Sequence, residues 1–185
     1  MKTLIALLVT AALALTGCAN GDHGHGDHAG GASEAVAILQ ARSGSSVSGS
    51  VRFATVPGGV RITASVSGLT PNAKHAIHIH EKGDCSAPDG SSAGGHYNPD
   101  GHPHGGPDAA ERHAGDLGNL QADASGHAEY ARTFDNISIA GDHNPVIGLS
   151  VIVHAGEDDL TTQPTGNAGG RIACGVIELG GHRGW

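Results

Sequence analysis

The sequence predicts an all-β fold, an antiparallel sandwich or flattened barrel, on three observations. Short runs alternate apolar and polar residues with the two-residue period of a half-buried strand. Turn clusters such as "VPGGV" and "ADASGH" punctuate the runs. No long segment carries the period of an amphipathic helix. Seven or eight short strands with such turns suit a closed or two-layered antiparallel sheet.

The strands follow in order. A first run is expected at 34–41, where the texture of the chain changes at Glu34. In "SVSGSVRF" Val47, Val51 and Phe53 point inward. In "VRITASV" Val60, Ile62, Ala64 and Val66 share one face, with Arg61, Thr63 and Ser65 opposite. Similar segments lie at 74–81, 127–134 and 171–179. In "GLSVIVHA" Leu149, Val151 and Val153 alternate with Ser150, Ile152 and His154. Between Glu81 and Asp123 almost no apolar pattern survives, and a compact domain rarely carries so long a loop unless something else organises it.

The amino-terminal segment has a different texture. Lys2 precedes an apolar run from Leu4 to Leu15, too short to span a bilayer, and "LTGC" ends at Cys18. Residues 1–17 therefore read as a secretory signal, and the ending resembles that of a bacterial lipoprotein, in which Cys18 is lipid-modified and holds the chain to a membrane. Ordinary cleavage a residue or two later is the alternative. Residues 18–33, which include "ANGDHGHGDHAGGAS", cannot bury enough surface to fold and are expected to be a flexible Gly/His-rich tether. His23, His25 and His28 are either metal scavengers or incidental. The domain then spans 34–180, and the tail 181–185 carries no reading.

If Cys18 carries lipid, Cys85 and Cys174 remain, most simply as one disulfide in an exported chain. Removal of 1–17 takes one positive charge, Lys2, and moves the formal charge from -8 to -9. Three lysines and no basic run exclude nucleic acid as a partner class. The outlying count is 14 histidines, and histidine is the commonest metal ligand.

Those histidines are not scattered evenly. "KHAIHIHEKGDC", residues 74–85, puts His78 and His80 on one side of a strand and Ile77 and Ile79 on the other. The long loop holds His96, His102, His104, His113 and Asp116. Tetrahedral zinc accepts imidazoles and a carboxylate, and a closed ligand set can order a loop that has no core. The "HAGD" step suits two ligands reaching one ion from a tight turn. His154 is a third strand histidine. Taken singly, each of these signals is as well explained by a polar strand face or a solvated loop.

Taken together, "GLTPNAKHAIHIHEKGDC", "GGHYNP", "HGGP", "ERHAGDLGN", "VIVHAGEDDL" and "GNAGGRIACGVIEL" resemble copper–zinc superoxide dismutase of the bacterial envelope type, over about residues 34–180. The resemblance implies a Greek-key β-sandwich flattened into an eight-stranded barrel with two long loops. It implies a copper held by His78, His80, His96 and His154, and a zinc held by His96, His104, His113 and Asp116, with His96 bridging. Asp158 would accept hydrogen bonds from His78 and His104; its neighbour Asp159 is the alternative. Arg171 would hold the anionic substrate beside copper, and Cys85 would pair with Cys174. His102 competes with His104 for zinc, but "HGGP" and the register from His96 favour His104. His75 is expected to make a structural hydrogen bond, and His127, His143 and His182 to be incidental.

The implied activity is disproportionation of superoxide, in the cell envelope, with one copper and one zinc per chain. A non-catalytic copper and zinc carrier on the same fold is the second reading, favoured only by the His-rich tether. The segment between Asp158 and Arg171 lacks the lysines that longer family members carry, so Arg171, and less directly Lys82, are the cations expected near the substrate. A second copy of the chain is a candidate partner, although no interface is legible.

Overall fold

The computed structural model describes residues 33–180. The expected signal segment, Cys18, the tether before Ser33 and the tail 181–185 lie outside the described residues. Eight strands follow one another: β1 (Glu34–Ala41), β2 (Ser48–Val56), β3 (Gly59–Ser67), β4 (Lys74–His80), β5 (Asp116–Gln121), β6 (Ala128–Phe134), β7 (Ser150–His154) and β8 (Arg171–Leu179). Among the described residues the sole helical element is a 3-10 turn at Ser91–Ala93, and no helix is long and apolar enough to cross a membrane.

All pairings are antiparallel, in the order β5-β4-β7-β8-β1-β2-β3-β6. The connections from β3 to β4 and from β6 to β7 join strands far apart in that order, as Greek-key links do. The two free edges approach each other where Tyr130 of β6 donates its hydroxyl to the Leu117 carbonyl of β5 at 2.8 Å. The sheet is thus a nearly closed barrel, the all-β architecture that the alternation predicts.

The alternation also fills the barrel. Val60, Ile62, Ala64 and Val66 of β3 are buried, and so are Phe53, Ile77, Ile79, Leu117, Leu120, Val151, Val153 and Ile177 from other strands. Each large side chain so buried contributes about 1.5–3 kcal/mol relative to an exposed one. Two strands have no solvent face at all. Every residue of β4 after Lys74 is buried, and all five of β7 are. Val151 and Val153 face the barrel core, whereas Ile152 packs outward with Ala93, Cys174 and Cys85. Loops cover the outer side of this part of the sheet.

The supposedly unpatterned stretch from Glu81 to Asp123 needs correction. It contains the 3-10 turn and the whole of β5. Gly118 sits at φ 84°, and the β4–β5 register shifts between Ala76 and His78. A left-handed residue and a bulge break the two-residue period, so "DLGNLQ" does not look like a strand.

Candidate metal centre

β4 brings His78 and His80 to its outer side, and β7 places His154 beside them. An isolated bridge between His80 and His96 ties the long loop to the end of β4. All three strand histidines and His96 are at most 7% exposed. Their donor atoms lie within 4.8 Å of one another. His96, His104, His113 and Asp116 form a second set within the same limit, and His96 belongs to both.

Hydrogen bonds fix which nitrogen of each ring is free. His80 Nδ1 donates to the Gly94 carbonyl at 3.0 Å and His154 Nδ1 to the Gly169 carbonyl at 3.2 Å, which turns both Nε2 atoms inward, 3.4 Å apart. Asp158 accepts from His78 Nε2 at 2.7 Å and from His104 Nε2 at 2.9 Å. That leaves His78 Nδ1 and His104 Nδ1 facing the clusters. A partner on one ring nitrogen sets the tautomer that offers the other to a metal.

The residues fit metals by a direct criterion. His78 Nδ1, His96 Nε2 and His104 Nδ1 are buried without a hydrogen-bond partner. Unpartnered buried nitrogens cost free energy unless something else satisfies them. His104 Nδ1 lies 3.0 Å from Asp116 Oδ1, yet off the direction of a hydrogen bond. Asp116 Oδ1 also approaches His96 Nδ1 at 2.9 Å and His113 Nδ1 at 3.3 Å. Three nitrogens and one carboxylate oxygen crowd around one point, a donor set suited to tetrahedral zinc. The other set is all imidazole, which suits copper.

Charge separates the two halves. Burial holds His80 well below the ordinary histidine value, and neighbouring His96 adds to the effect. Burial likewise takes His154 to about 3 and His96 to about 4, the latter against the opposing effect of the hydrogen bond that His96 Nδ1 donates to Asp116. These rings are neutral donors at neutral pH. Burial opposes ionisation of Asp116 too, but His104, His113, His96 and the Gly105 amide hold it well below the usual carboxylate range. Asp158 is lowered against burial by His104 and His78. Burial would lower His104, but Asp116 and Asp158 together raise it to about 9.

Arg171 opens β8 and reaches back to this site. Nη1 donates to the Gly90 carbonyl at 2.7 Å and Nη2 to the Gly94 carbonyl at 2.6 Å. The Cys85–Cys174 disulfide joins the same loop to β8, with Cα atoms 5.7 Å apart. His75 bonds the His154 carbonyl through Nδ1 at 2.9 Å and accepts from the Thr70 amide through Nε2 at 3.2 Å. His102 lies outside both clusters, in a groove with Arg112, Arg132 and His143. Asp159 turns away to Thr161 and Thr162, and Lys82 is exposed. His127 sits at the surface between Ser67 and Glu129.

Two residues that sequence reasoning does not single out brace the site. Asn119 of β5 grips the Asp158 backbone from both sides, accepting from its amide at 2.8 Å and donating to its carbonyl at 2.9 Å. Gln163 does the same for His104, at 2.8 Å each way. Gln163 lies outside the quoted motifs, and Asn119, although it closes "ERHAGDLGN", carries no ligand chemistry that would single it out. Gly166, at φ 68°, completes the support, since a Cβ there would collide with the Asp158 carboxylate and lie 2.7 Å from His104 Nε2.

Comparison with known proteins gives this geometry a family. The sequence profile of the family described as copper/zinc superoxide dismutase matches residues 47–177. A Cu-Zn superoxide dismutase of Paramecium bursaria Chlorella virus 1 is 45% identical over 150 residues, covering 77% of this chain and 76% of that one. An extracellular Cu-Zn superoxide dismutase of Onchocerca volvulus is 46% identical over 173 residues, covering 85% and 81%. One from Yarrowia lipolytica is 44% identical over 154 residues, covering 79% and 97%. The chain therefore belongs to the copper/zinc superoxide dismutase family, and it is an enzyme with superoxide as substrate and copper and zinc as metals.

Proposed function

We propose that His78, His80, His96 and His154 hold copper, that His96, His104, His113 and Asp116 hold zinc, and that the His96 ring, stripped of both protons, bridges them. The observation that carries this reading is the position of His96 in both donor clusters. Its Nδ1 faces Asp116 at 2.9 Å, and its buried Nε2 has no partner. When bound, copper supplies a one-electron couple and zinc a redox-silent charge that fixes the loop.

The chain's own residues supply the rest. Arg171, anchored by two carbonyls, presents positive charge to an anion beside the copper cluster. His96 Nε2 is the atom that gains a proton in one half of the cycle and gives it up in the other, while Nδ1 stays on the zinc side. Two superoxide ions and two protons thus become oxygen and hydrogen peroxide. Asp158 accepts from both rings and so would hold His78 and His104 in register as His96 gains or loses its proton.

The proposed setting is the cell envelope, at the periplasm or an outer face, with the domain swinging on a tether from lipidated Cys18 and consuming superoxide that arises outside the cytoplasm. The Cys85–Cys174 disulfide and the extracellular relative support export. Homodimer formation is supported by the outer side of β1 and β8, where Ile38 is 60% exposed beside Val36 and Val176. Sedimentation of the wild type beside Ile38→Glu tests that pairing.

The bridge is tested by placing cobalt in the zinc site. Two paramagnetic ions sharing one imidazolate couple magnetically, so the copper resonance signal should disappear. In His96→Gln it should return, and turnover measured by superoxide-dependent dye reduction should fall. An unchanged copper signal in the cobalt-substituted wild type would overturn the bridge.

A further inference from the structure

Arg42 lies in the turn between β1 and β2, outside every motif discussed above. It is half-buried, and its donors are taken by main-chain oxygens. Nε and Nη2 both donate to the Cys85 carbonyl, at 3.0 and 2.6 Å, and Nη1 donates to the Ala41 carbonyl at 2.7 Å. Its amide bonds the Ile172 carbonyl at 2.9 Å. Ser43, in the left-handed region at φ 53°, donates its amide to the Pro88 carbonyl and its hydroxyl to the Arg171 carbonyl, each at 2.8 Å.

These bonds close a ring. The turn holds the segment from Cys85 to Gly90 at two carbonyls, and that segment holds Arg171 through the Gly90 carbonyl. β8 then returns to the turn through the Arg171 and Ile172 carbonyls. Gly90 is buried between the two arginines, since a Cβ there would lie 3.3 Å from Arg171 Cβ and 3.8 Å from Arg42 Cγ. The segment has no strand partner of its own. The disulfide limits how far Cys85 can move but leaves its peptide free to rotate about the side-chain torsions. A guanidinium fork on the carbonyl removes that rotation.

We infer that Arg42, with Ser43, is a positioning residue for Arg171: it fixes the Cys85–Gly90 segment so that the Gly90 carbonyl orients the substrate-binding guanidinium. The inference rests on the proposed role of Arg171 and extends it to a residue in a different loop. Coupling of this indirect kind typically changes an affinity by several-fold.

The test uses the copper- and zinc-loaded full chain, with azide as the anionic probe read from the copper absorption spectrum. Arg42→Ala should weaken azide binding by roughly 3–10-fold with both metals retained. With copper reduced, the Arg171 guanidinium nitrogen signals should lose the slow rotation that two fixed carbonyls impose. A residue that merely supports the fold would move neither readout. Arg42→Lys should not rescue them, because one ammonium cannot copy the fork; full rescue would overturn positioning in favour of charge alone. Ser43→Ala, which removes a single hydroxyl, should shift both readouts in the same direction, and it decides the matter if Arg42→Ala does not fold. Unchanged azide affinity in both variants overturns the inference. Arg171→Ile separates the two levels. If it too leaves azide unaffected, the role of Arg171 falls and the inference with it; if it alone weakens azide, only the inference falls.

Discussion

Arg171 and His80 meet at one atom: the Gly94 carbonyl oxygen accepts from Arg171 Nη2 at 2.6 Å and from His80 Nδ1 at 3.0 Å. The carbonyl that turns His80 Nε2 toward the proposed copper cluster also anchors the guanidinium proposed to bind substrate. Gly94 is at φ 76°, and a Cβ there would fall 2.5 Å from Glu81 Oε1. Glu81 Oε1 in turn accepts the Gly95 amide at 3.0 Å.

Gly94→Ala should therefore damage two properties at once. The left-handed backbone and the contact with Glu81 together cost on the order of 1–3 kcal/mol if the loop keeps its path. If the loop moves instead, the shared carbonyl moves with it. Copper content and azide affinity should both drop, whereas Arg171→Ile should lower azide affinity alone. Loss of only one property in Gly94→Ala would show that the two bonds are independent.

Asp158→Asn keeps the shape of the carboxylate but can accept on only one side. It cannot take hydrogens from His78 Nε2 and His104 Nε2 together, and burial leaves no water to substitute. One imidazole should lose its tautomer control. Affinity for copper, zinc or both should fall by about 10–100-fold, the usual scale for such partners. Competition with a chelator measures it, and unaltered affinity for both metals would remove Asp158 from the site.

How much of this was legible in the sequence depends on which chemical group does the work. Side-chain patterns were legible: the alternation in β3 predicts its buried face, and that in β4 points His78 and His80 the same way. β5 was hidden because Gly118 and the register shift at Ala76/His78 spoil the period. Arg42, Ser43, Asn119 and Gln163 were hidden for a different reason. They act on main-chain carbonyls and amides, and the place a carbonyl occupies is not written in its residue type. Gly94 and Gly166 have the same invisibility, since a glycine required by a neighbour's carboxylate looks like any loop glycine.

The two donor sets predict different metal losses. His80 belongs only to the proposed copper set and Asp116 only to the proposed zinc set. His80→Ala should lose copper and turnover while zinc is largely retained. Asp116→Ala also frees the amides of Gly105 and His113, which its Oδ2 accepts at 3.0 Å each. Zinc affinity should then fall by about 10-fold or more, and protease should cut the loop faster. Elemental analysis showing equal loss of both metals in both variants would refute the division.

The anchor is predicted from chemistry outside the described residues. A Gly-rich tether of about 15 residues has a typical reach of roughly 20–25 Å. Cys18→Ser should release or misprocess the chain without changing turnover by the isolated domain. Mass spectrometry of the native amino terminus decides: an unmodified end at or after Ala19 rules the lipid out.

The last prediction concerns an apparent conflict of charge. The chain after residue 17 carries a formal charge of -9 once Lys2 is removed from the total of -8, and the substrate is itself an anion. At physiological ionic strength the Debye length is about 8 Å, so distant surface carboxylates are largely screened at the proposed copper site. Local charge then decides the approach. Lys82 is exposed, and Lys74 is paired with Glu157 at 2.7 Å, whereas Arg171 is half-buried and fixed at the site by two carbonyls. An ion pair at about 4 Å is worth roughly 4 kcal/mol at an effective dielectric of 20, before the discount that partial exposure brings. Arg171→Ile should lower kcat/KM by on the order of tenfold or more with both metals retained, and Arg171→Glu should lower it further because repulsion replaces attraction. Added salt should slow the wild type and speed the Glu variant, since screening weakens attraction in the first and repulsion in the second. Full activity in Arg171→Glu with normal metal content would mean that another group guides the anion.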